Sequence, residues 1–283
     1  MKYRVRHKNR YQYDQPVSLC HNAACLLPRD TLNQQVINSR LIILPVIESV
    51  TERKDLFGNR LSAFSVEELH SELTVLAESE VEVRVNRIER SSGVAWDHPM
   101  NIPAKSRLYL RPSVYVPTQD TTIWEFAAPF FTPGRDLFAL CEAINQHIFH
   151  EFVYDPGFSD VETPVHWVLA EKRGVCQDFA HLMLSVLRSH GVACRYVSGY
   201  LETDPPPGQP KLMGADASHA WVSVFIPGTG WVDFDPTNGI NPSERHITLA
   251  WGRDYADVVP LKGLMTGGSQ HQLEVSVDVT PAD

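Results

Sequence analysis

RGVCQDFAHL, residues 173–182, decides how this chain is read. Gly174 precedes Cys176, and beyond the cysteine the apolar residues Phe179, Leu182, Met183, Val186 and Leu187 recur at intervals of three and four, as on one face of an α-helix. His190 and Gly191 supply a C-terminal stop. Cys176 therefore stands at a helix N-terminus, where unpaired backbone N–H groups and the helix dipole favour an anion. A free thiol is mostly protonated at neutral pH and reacts as the thiolate, so this placement suits a nucleophile. Asp178 in the first turn complements the dipole, while His181 faces another side of the helix and reads as structural.

A cysteine nucleophile needs a base, and the base needs a group that orients it. His219 in ASHAWVSV heads an alternating strand directly after a polar loop. The stretch WVDFDPTNG then offers Asp233 and Asp235, two residues apart and so on one face of a strand. Asp235 is favoured because it ends the strand before Pro236, with Asp233 left as a supporting or surface carboxylate. Taken singly, each residue has an ordinary reading: cysteine packs, histidine caps a strand, and Asp-Pro-Thr starts a turn. Together Cys176, His219 and Asp235 form a nucleophile, base and orienter on successive elements. Backbone N–H groups at the helix start can bind the oxyanion, and Gln177 and Tyr200 are candidate side-chain donors or substrate contacts. Trp124 and Trp167 also lie upstream of Cys176, but Trp167 falls in an apolar helical run and reads as core; Trp221 and Trp231 either wall the cleft or fill the sheet.

Working outward, ACRYVSGYLE, HAWVSVFIPG and GWVDFDPTNG read as strands, with PGTG at 227–230 as a hairpin turn and EVSVDV as a later strand. The proline-rich segment 204–218 reads as an exposed loop. Upstream, GRDLFALCEAINQHIFHEF places Leu137, Leu140, Cys141, Ile144, Ile148 and Phe149 on one helical face. TPVHWVLAEKRG predicts a shorter helix with Thr163 as N-cap, Pro164 at the first position and Gly174 ending the segment. Residues 1–90 show period-two runs and turn residues, which argues an antiparallel β-sandwich; 91–135 read as a linker of irregular or short helical pieces; 136–283 form the catalytic part, including the C-terminal strand. The class is α+β.

Composition narrows the function. The chain has 283 residues and a formal net charge of -9, which excludes the basic footprint of a nucleic-acid binder. No stretch is long and apolar enough to span a bilayer, and the basic opening MKYRVRHKNR is followed by no apolar run, so no membrane partner and a cytoplasmic location are expected. The five cysteines include no C-x-x-C pair and the histidines no metal-ligand spacing, so reduced thiols and no metal are expected. Calcium is not indicated either, since no D-x-D-x-D-G loop appears.

From Tyr154 to Asn238, the pattern YDPGFSDVETP, RGVCQDFAHL, VSGYLE and SHAWVSVFIPGTGWVDFDPTNG resembles the bacterial transglutaminase-like superfamily, whose members are often described as candidate cysteine proteases. PVSLCHNAACLLPRD and DLFGNR resemble that group's N-terminal β domain, and GRDYADVVPLKG its C-terminal extension. The resemblance implies a papain-like core, with a nucleophile helix packed on an antiparallel sheet, and carries the triad onto Cys176, His219 and Asp235. It implies cysteine-dependent acyl transfer on a protein or peptide substrate without a cofactor. Two other readings compete: a binding or scaffold protein that keeps the fold, and a metal-dependent hydrolase, which the missing H-E-x-x-H pair disfavours. Arg253, Asp254 and Tyr255 either approach the site or form a salt-bridged turn.

Overall fold

The structure is a computed structural model that describes residues 1–85, 91–99, 101–203, 218–268 and 270–282. The N-terminal part contains β1 (Lys2–Ala24), β2 (Gln34–Leu44), β3 (Thr51–Lys54), β4 (Arg60–Val66) and β5 (His70–Val83). As the alternation predicts, Tyr3, Val5 and His7 are buried while Lys2, Arg4 and Arg6 face out. The middle holds a 3-10 turn at Ala104–Leu110, α1 (Thr121–Ala127) and α2 (Leu137–Glu151). The C-terminal half continues with β6 (Val153–Tyr154), α3 (Val165–Glu171), β7 (Arg173–Gly174), α4 (Cys176–Ser189), β8 (Cys194–Leu201), β9 (Ser218–Ile226), β10 (Gly230–Phe234) and β11 (His246–Gly252). A 3-10 turn at Tyr255–Asp257, β12 (Leu261–Gly267) and β13 (His271–Ala282) close the chain.

The two-layered β region expected over 1–90 is one antiparallel sheet that bends. The long β1 pairs with β5 over its first half and with β4 over its second, while β13 and β12 line its other edge in the same succession. The register slips between Gln12 and Val17, where Asp14-Gln15-Pro16 interrupts β1, and such irregularity bends and twists a sheet. Beyond the bend Val17, Cys20 and Ala24 close with Phe64, Val66, Leu73 and Val75 into a small core. Before it, Tyr3, Val5, Val81, Val83, Val277 and Val279 join the main core around α2 and α4. The C-terminal strands, assigned from sequence to 136–283, thus hydrogen-bond to β1 at the opposite end of the chain. Their exposed, alternating residues carry no signal of which strand they pair with.

Within 91–135, Val116, Ile123, Ala127 and Phe131 are buried in the main core, so this segment packs and does more than connect. The periodic faces of α2 and α4 are buried as expected, except that Phe149 is 43% exposed and lies against Gly239. Helix α4 is buried on every side from Asp178 to Arg188. The buried Arg188 guanidinium is satisfied by the carbonyls of Cys194 at 2.8 Å and Arg253 at 2.6 Å. Helix α3 begins one residue later than predicted, with Pro164 as N-cap, because Thr163 bonds to Asp160 instead. Lys172, at φ 51, ends it in the left-handed conformation, a role the sequence suggested for Gly174.

The four-stranded antiparallel sheet runs β10-β9-β8-β11. Ala220, Val222, Val224 and Ile226 of β9 join the core that surrounds α4. Strand β11 was not legible: HITLAW is buried at five successive positions, so it shows no alternation. It lies at the sheet edge, where two buried amides from the β domain complete its hydrogen bonds. Gln34 bonds to both Thr248 N–H (2.8 Å) and Thr248 C=O (2.7 Å), and Asn59 to Trp251 N–H (3.0 Å) and C=O (2.8 Å).

Candidate active site

Cys176 occupies the first position of α4 and is half-buried; all five cysteines are free. The turn before it is fixed by Asp178, whose carboxylate accepts the Val175 N–H at 2.8 Å and the Ser159 hydroxyl. Asp178 is 2% exposed; burial raises its pKa despite those hydrogen bonds. Gly174 is what lets the carboxylate lie there, because a Cβ at 174 would stand 2.8 Å from Asp178 Oδ2 and 2.9 Å from its Cβ. The parallel pair β6 and β7 brings Tyr154 beside this turn, close enough that Cys176 and Asp178 add to the effect of burial in raising the tyrosine's pKa.

His219 is the second residue of β9, opposite Gly199 of β8, and Asp235 follows the last residue of β10. His219 Nε2 donates to Asp235 Oδ2 at 2.8 Å. The aspartate is fully buried, and both of its oxygens are occupied. Oδ1 accepts the backbone N–H groups of Thr237 (3.0 Å) and Asn238 (3.2 Å), while Oδ2 also accepts Asn238 Nδ2 (2.7 Å) and His246 Nε2 (3.0 Å). Burial opposes ionisation of Asp235, but the hydrogen bonds and charges of the two histidines outweigh it and hold the carboxyl well below its ordinary range. For His219 burial again opposes the charge, and hydrogen bonds and charges from Asp235 and Cys176 prevail, raising its pKa to about 10. With Nε2 committed to Asp235, the other ring nitrogen is the one left for the sulfur.

His219, Asp235 and His246 offer ligand atoms within 4.8 Å of one another, a set that could hold a metal by composition. Their directions argue otherwise. Metal ligands converge on a common point about 2 Å from each. Here two ring nitrogens and an amide converge on the carboxylate oxygen itself at hydrogen-bond distances.

The other candidates separate. Asp233 accepts the indole N–H of Trp221 at 3.1 Å and so supports that ring, not His219. Trp221 is fully buried between the two histidines, in tilted contact with His219 and edge-on to His246, whereas Trp231 stacks on Arg195. Gln177 is part-buried beside the nucleophile, and its Nε2 bonds to the Val161 carbonyl at 3.2 Å. Tyr200 is a correction: it is fully buried and its hydroxyl meets His7 Nδ1 of the β domain at 3.0 Å, so it lines an internal contact between the two halves. Trp167 is another, being 54% exposed and not core, since α3 buries only Val165 and Val168. Trp124 is also exposed, with its indole N–H on Thr118 C=O. His181 is structural as read: burial lowers its pKa to about 3, and its Nε2 accepts the Tyr255 N–H. Arg253 pairs with Asp257 at 2.9 Å in the salt-bridged turn. Segment 204–217 lies outside the described residues. Sequence reading missed His246 and Asn238; for Asn238 the turn-forming Asp-Pro-Thr-Asn run was the available signal.

Gly199 sets how closely this arrangement packs. A Cβ there would lie 2.2 Å from the Ile247 carbonyl and 2.5 Å from the Trp221 ring. Gly199→Ala should cost about 2–3 kcal/mol, an overpacking penalty, read as a lowered Tm in thermal unfolding.

Residues 3–82 match the bacterial transglutaminase-like N-terminal region, and residues 125–236 match the transglutaminase-like superfamily. An uncharacterised protein of Mycobacterium bovis is 38% identical over 99% of this chain and 93% of its own length, and one of Mycobacterium leprae is 35% identical over 98% of each. A protein-glutamine gamma-glutamyltransferase of Pseudomonas aeruginosa is 31% identical over 46% of this chain and 21% of its own. A crystal structure of a candidate cysteine protease from Cytophaga hutchinsonii shares the fold, with a TM-score of 0.80 at 22% identity over all of this chain and 92% of that one. Among the described residues no helix is long and apolar enough to cross a membrane. With its N-terminal region and its core both matched, the chain belongs to the transglutaminase-like superfamily.

Proposed function

We propose that the protein catalyses cysteine-dependent acyl transfer on amide bonds of a protein or peptide, with Cys176 as nucleophile, His219 as base and acid, and Asp235 as orienter. The observation that carries this reading is the fully buried Asp235 holding His219 by one ring nitrogen, with Cys176 near enough to the same ring to help raise its pKa. Cys176 Sγ attacks the amide carbonyl carbon, forming a C–S bond, while His219 holds the proton that the thiol gives up. The free N–H groups at the start of α4 stabilise the oxyanion. The C–N bond then breaks as His219 protonates the departing amine, leaving a thioester. Water or a primary amine attacks the thioester, His219 takes the attacking group's proton, and the thiol is released.

The same steps serve a peptidase, a deamidase and a crosslinking enzyme, and the relatives named above include both a candidate protease and a glutamyltransferase. Hydrolysis is favoured wherever water reaches the thioester. Incubation with glutamine-containing peptides, with and without a primary amine, followed by mass spectrometry should show one of three results: the small mass gain of deamidation, a cleaved fragment, or an amine adduct. No change in any peptide, together with labelling of Cys176 by iodoacetamide no faster than that of the other cysteines, would favour a scaffold.

A further inference from the structure

His246 is buried, sits outside the Cys-His-Asp set and touches its carboxylate from the other side. Its ring is tied at both nitrogens. Nδ1 accepts the Ser243 N–H at 3.4 Å, which leaves the hydrogen on Nε2, and Nε2 faces Asp235 Oδ2 at 3.0 Å. The ring stands perpendicular to that of Trp221, with centroids 5.3 Å apart and planes at 86°, and Asp233 holds that indole in place. Behind the ring lies a cavity of about 310 Å³, lined by Arg195, Trp231, Asp233 and Trp251. The charged and titratable groups around His246 are thus Asp235 and Asp233 from the β10 segment, His219 from β9 and Arg195 from β8.

We propose that His246 is a positioning residue for the acyl-transfer chemistry: it donates a second imidazole N–H to the Asp235 oxygen that holds His219, fixing that oxygen and sharing its charge. The inference rests on the reading of Cys176, His219 and Asp235 given above. Its logic is electrostatic. A carboxylate oxygen with a single histidine donor concentrates its charge on that ring and makes the imidazolium a very weak acid. General acid catalysis works best when the acid's pKa lies near the working pH. A second donor draws charge from Oδ2 and returns His219 toward a range in which it can release its proton to a departing amine.

Iodoacetate tests this without a known substrate, because an anionic alkylating agent is drawn to Cys176 by the His219 imidazolium and its rate falls when that ring loses its proton. The pH midpoint of the fall is measured for the unmodified protein, His246→Phe and His246→Gln. Phenylalanine keeps the ring against Trp221 but has no donor, so the midpoint should rise by about half a pH unit or more; glutamine can still donate and should stay near the original midpoint. A folded His246→Phe protein with an unchanged midpoint overturns the role of His246 and leaves the triad reading standing. If the unmodified protein shows no such fall, or behaves like His219→Ala, the triad reading itself fails, and this inference with it. Should both variants unfold, nitrogen-15 NMR of the unmodified protein decides: a proton on His246 Nε2 is expected, and one on Nδ1 alone refutes the bond.

Discussion

Cys176→Ala should abolish the thioester formation proposed above and lower the proposed acyl transfer roughly a millionfold, to what binding and the backbone donors supply alone. The expected size follows from the chemistry. His219 has no proton to accept once the thiol is gone, and alanine offers no electron pair to the carbonyl carbon. The fold is unaffected, because Cys176 is half-buried at the first position of α4, while the turn is held by Asp178 and Gly174. Intact-mass analysis after mixing with a reactive peptide ester should show an acyl adduct in the unmodified protein and none in the variant, at equal Tm. An adduct that persists on another residue would show that the nucleophile lies elsewhere.

Asp235→Asn should be the most damaging conservative change, because it acts on stability and chemistry together. The carboxylate accepts bonds from two histidines, the Asn238 amide and two backbone N–H groups while fully buried. An amide in its place turns one of its two acceptor atoms into a donor, leaving buried N–H groups opposed and the His219 charge without a partner. Breaking such a buried pair costs about 3–5 kcal/mol. Acylation should drop roughly ten-thousandfold, since a neutral amide also misorients the imidazole. Urea unfolding and the rate of acyl-adduct formation measure the two losses separately.

The same bond sets the pH dependence of stability. Asp235 ionises more readily folded than unfolded, so its contribution is present above the unfolded carboxyl range and is lost as pH falls through the depressed folded value. His219 is the reverse: raised from 6.5 to about 10, it stabilises fully below 6.5, and that contribution fades as pH rises through about 10. Because both describe one ion pair, its contribution enters once. Unfolding free energies should form a plateau from above the unfolded carboxyl range up to about pH 6.5 and decline from there toward pH 10, and Asp235→Asn should flatten the acid and alkaline edges alike.

The parts of this chain most directly read from its residues are those with one buried and one exposed side. Helix α2 and strand β10 fall in that group, whereas α4, β8 and β9 are buried almost throughout and are read from apolar spacing, composition and the turn residues that bound them. Cys176, His219 and Asp235 are legible too, since their places at the ends of elements follow from local pattern and from family resemblance. Full burial erases the pattern. HITLAW packs on both faces, so β11 and with it His246 went unseen. Tyr200 carries a polar tip like a substrate contact, but the tip is spent on His7 across the interior. Trp167 sits in an apolar run yet faces outward, because α3 is too short to bury more than one side. The pairing of β12 and β13 with β1 is a long-range choice that no local period encodes.

The amides of Gln34 and Asn59 against β11 bear on how the protein can be divided. Cutting the chain near residue 90 would strip the C-terminal half of this neighbour and present bare peptide groups along that margin, an invitation to intermolecular pairing. The papain-like portion expressed by itself should therefore precipitate or self-associate, and co-expression with residues 1–90 should return it to solution. The N-terminal region acts in this respect as a built-in chaperone for the rest of the chain.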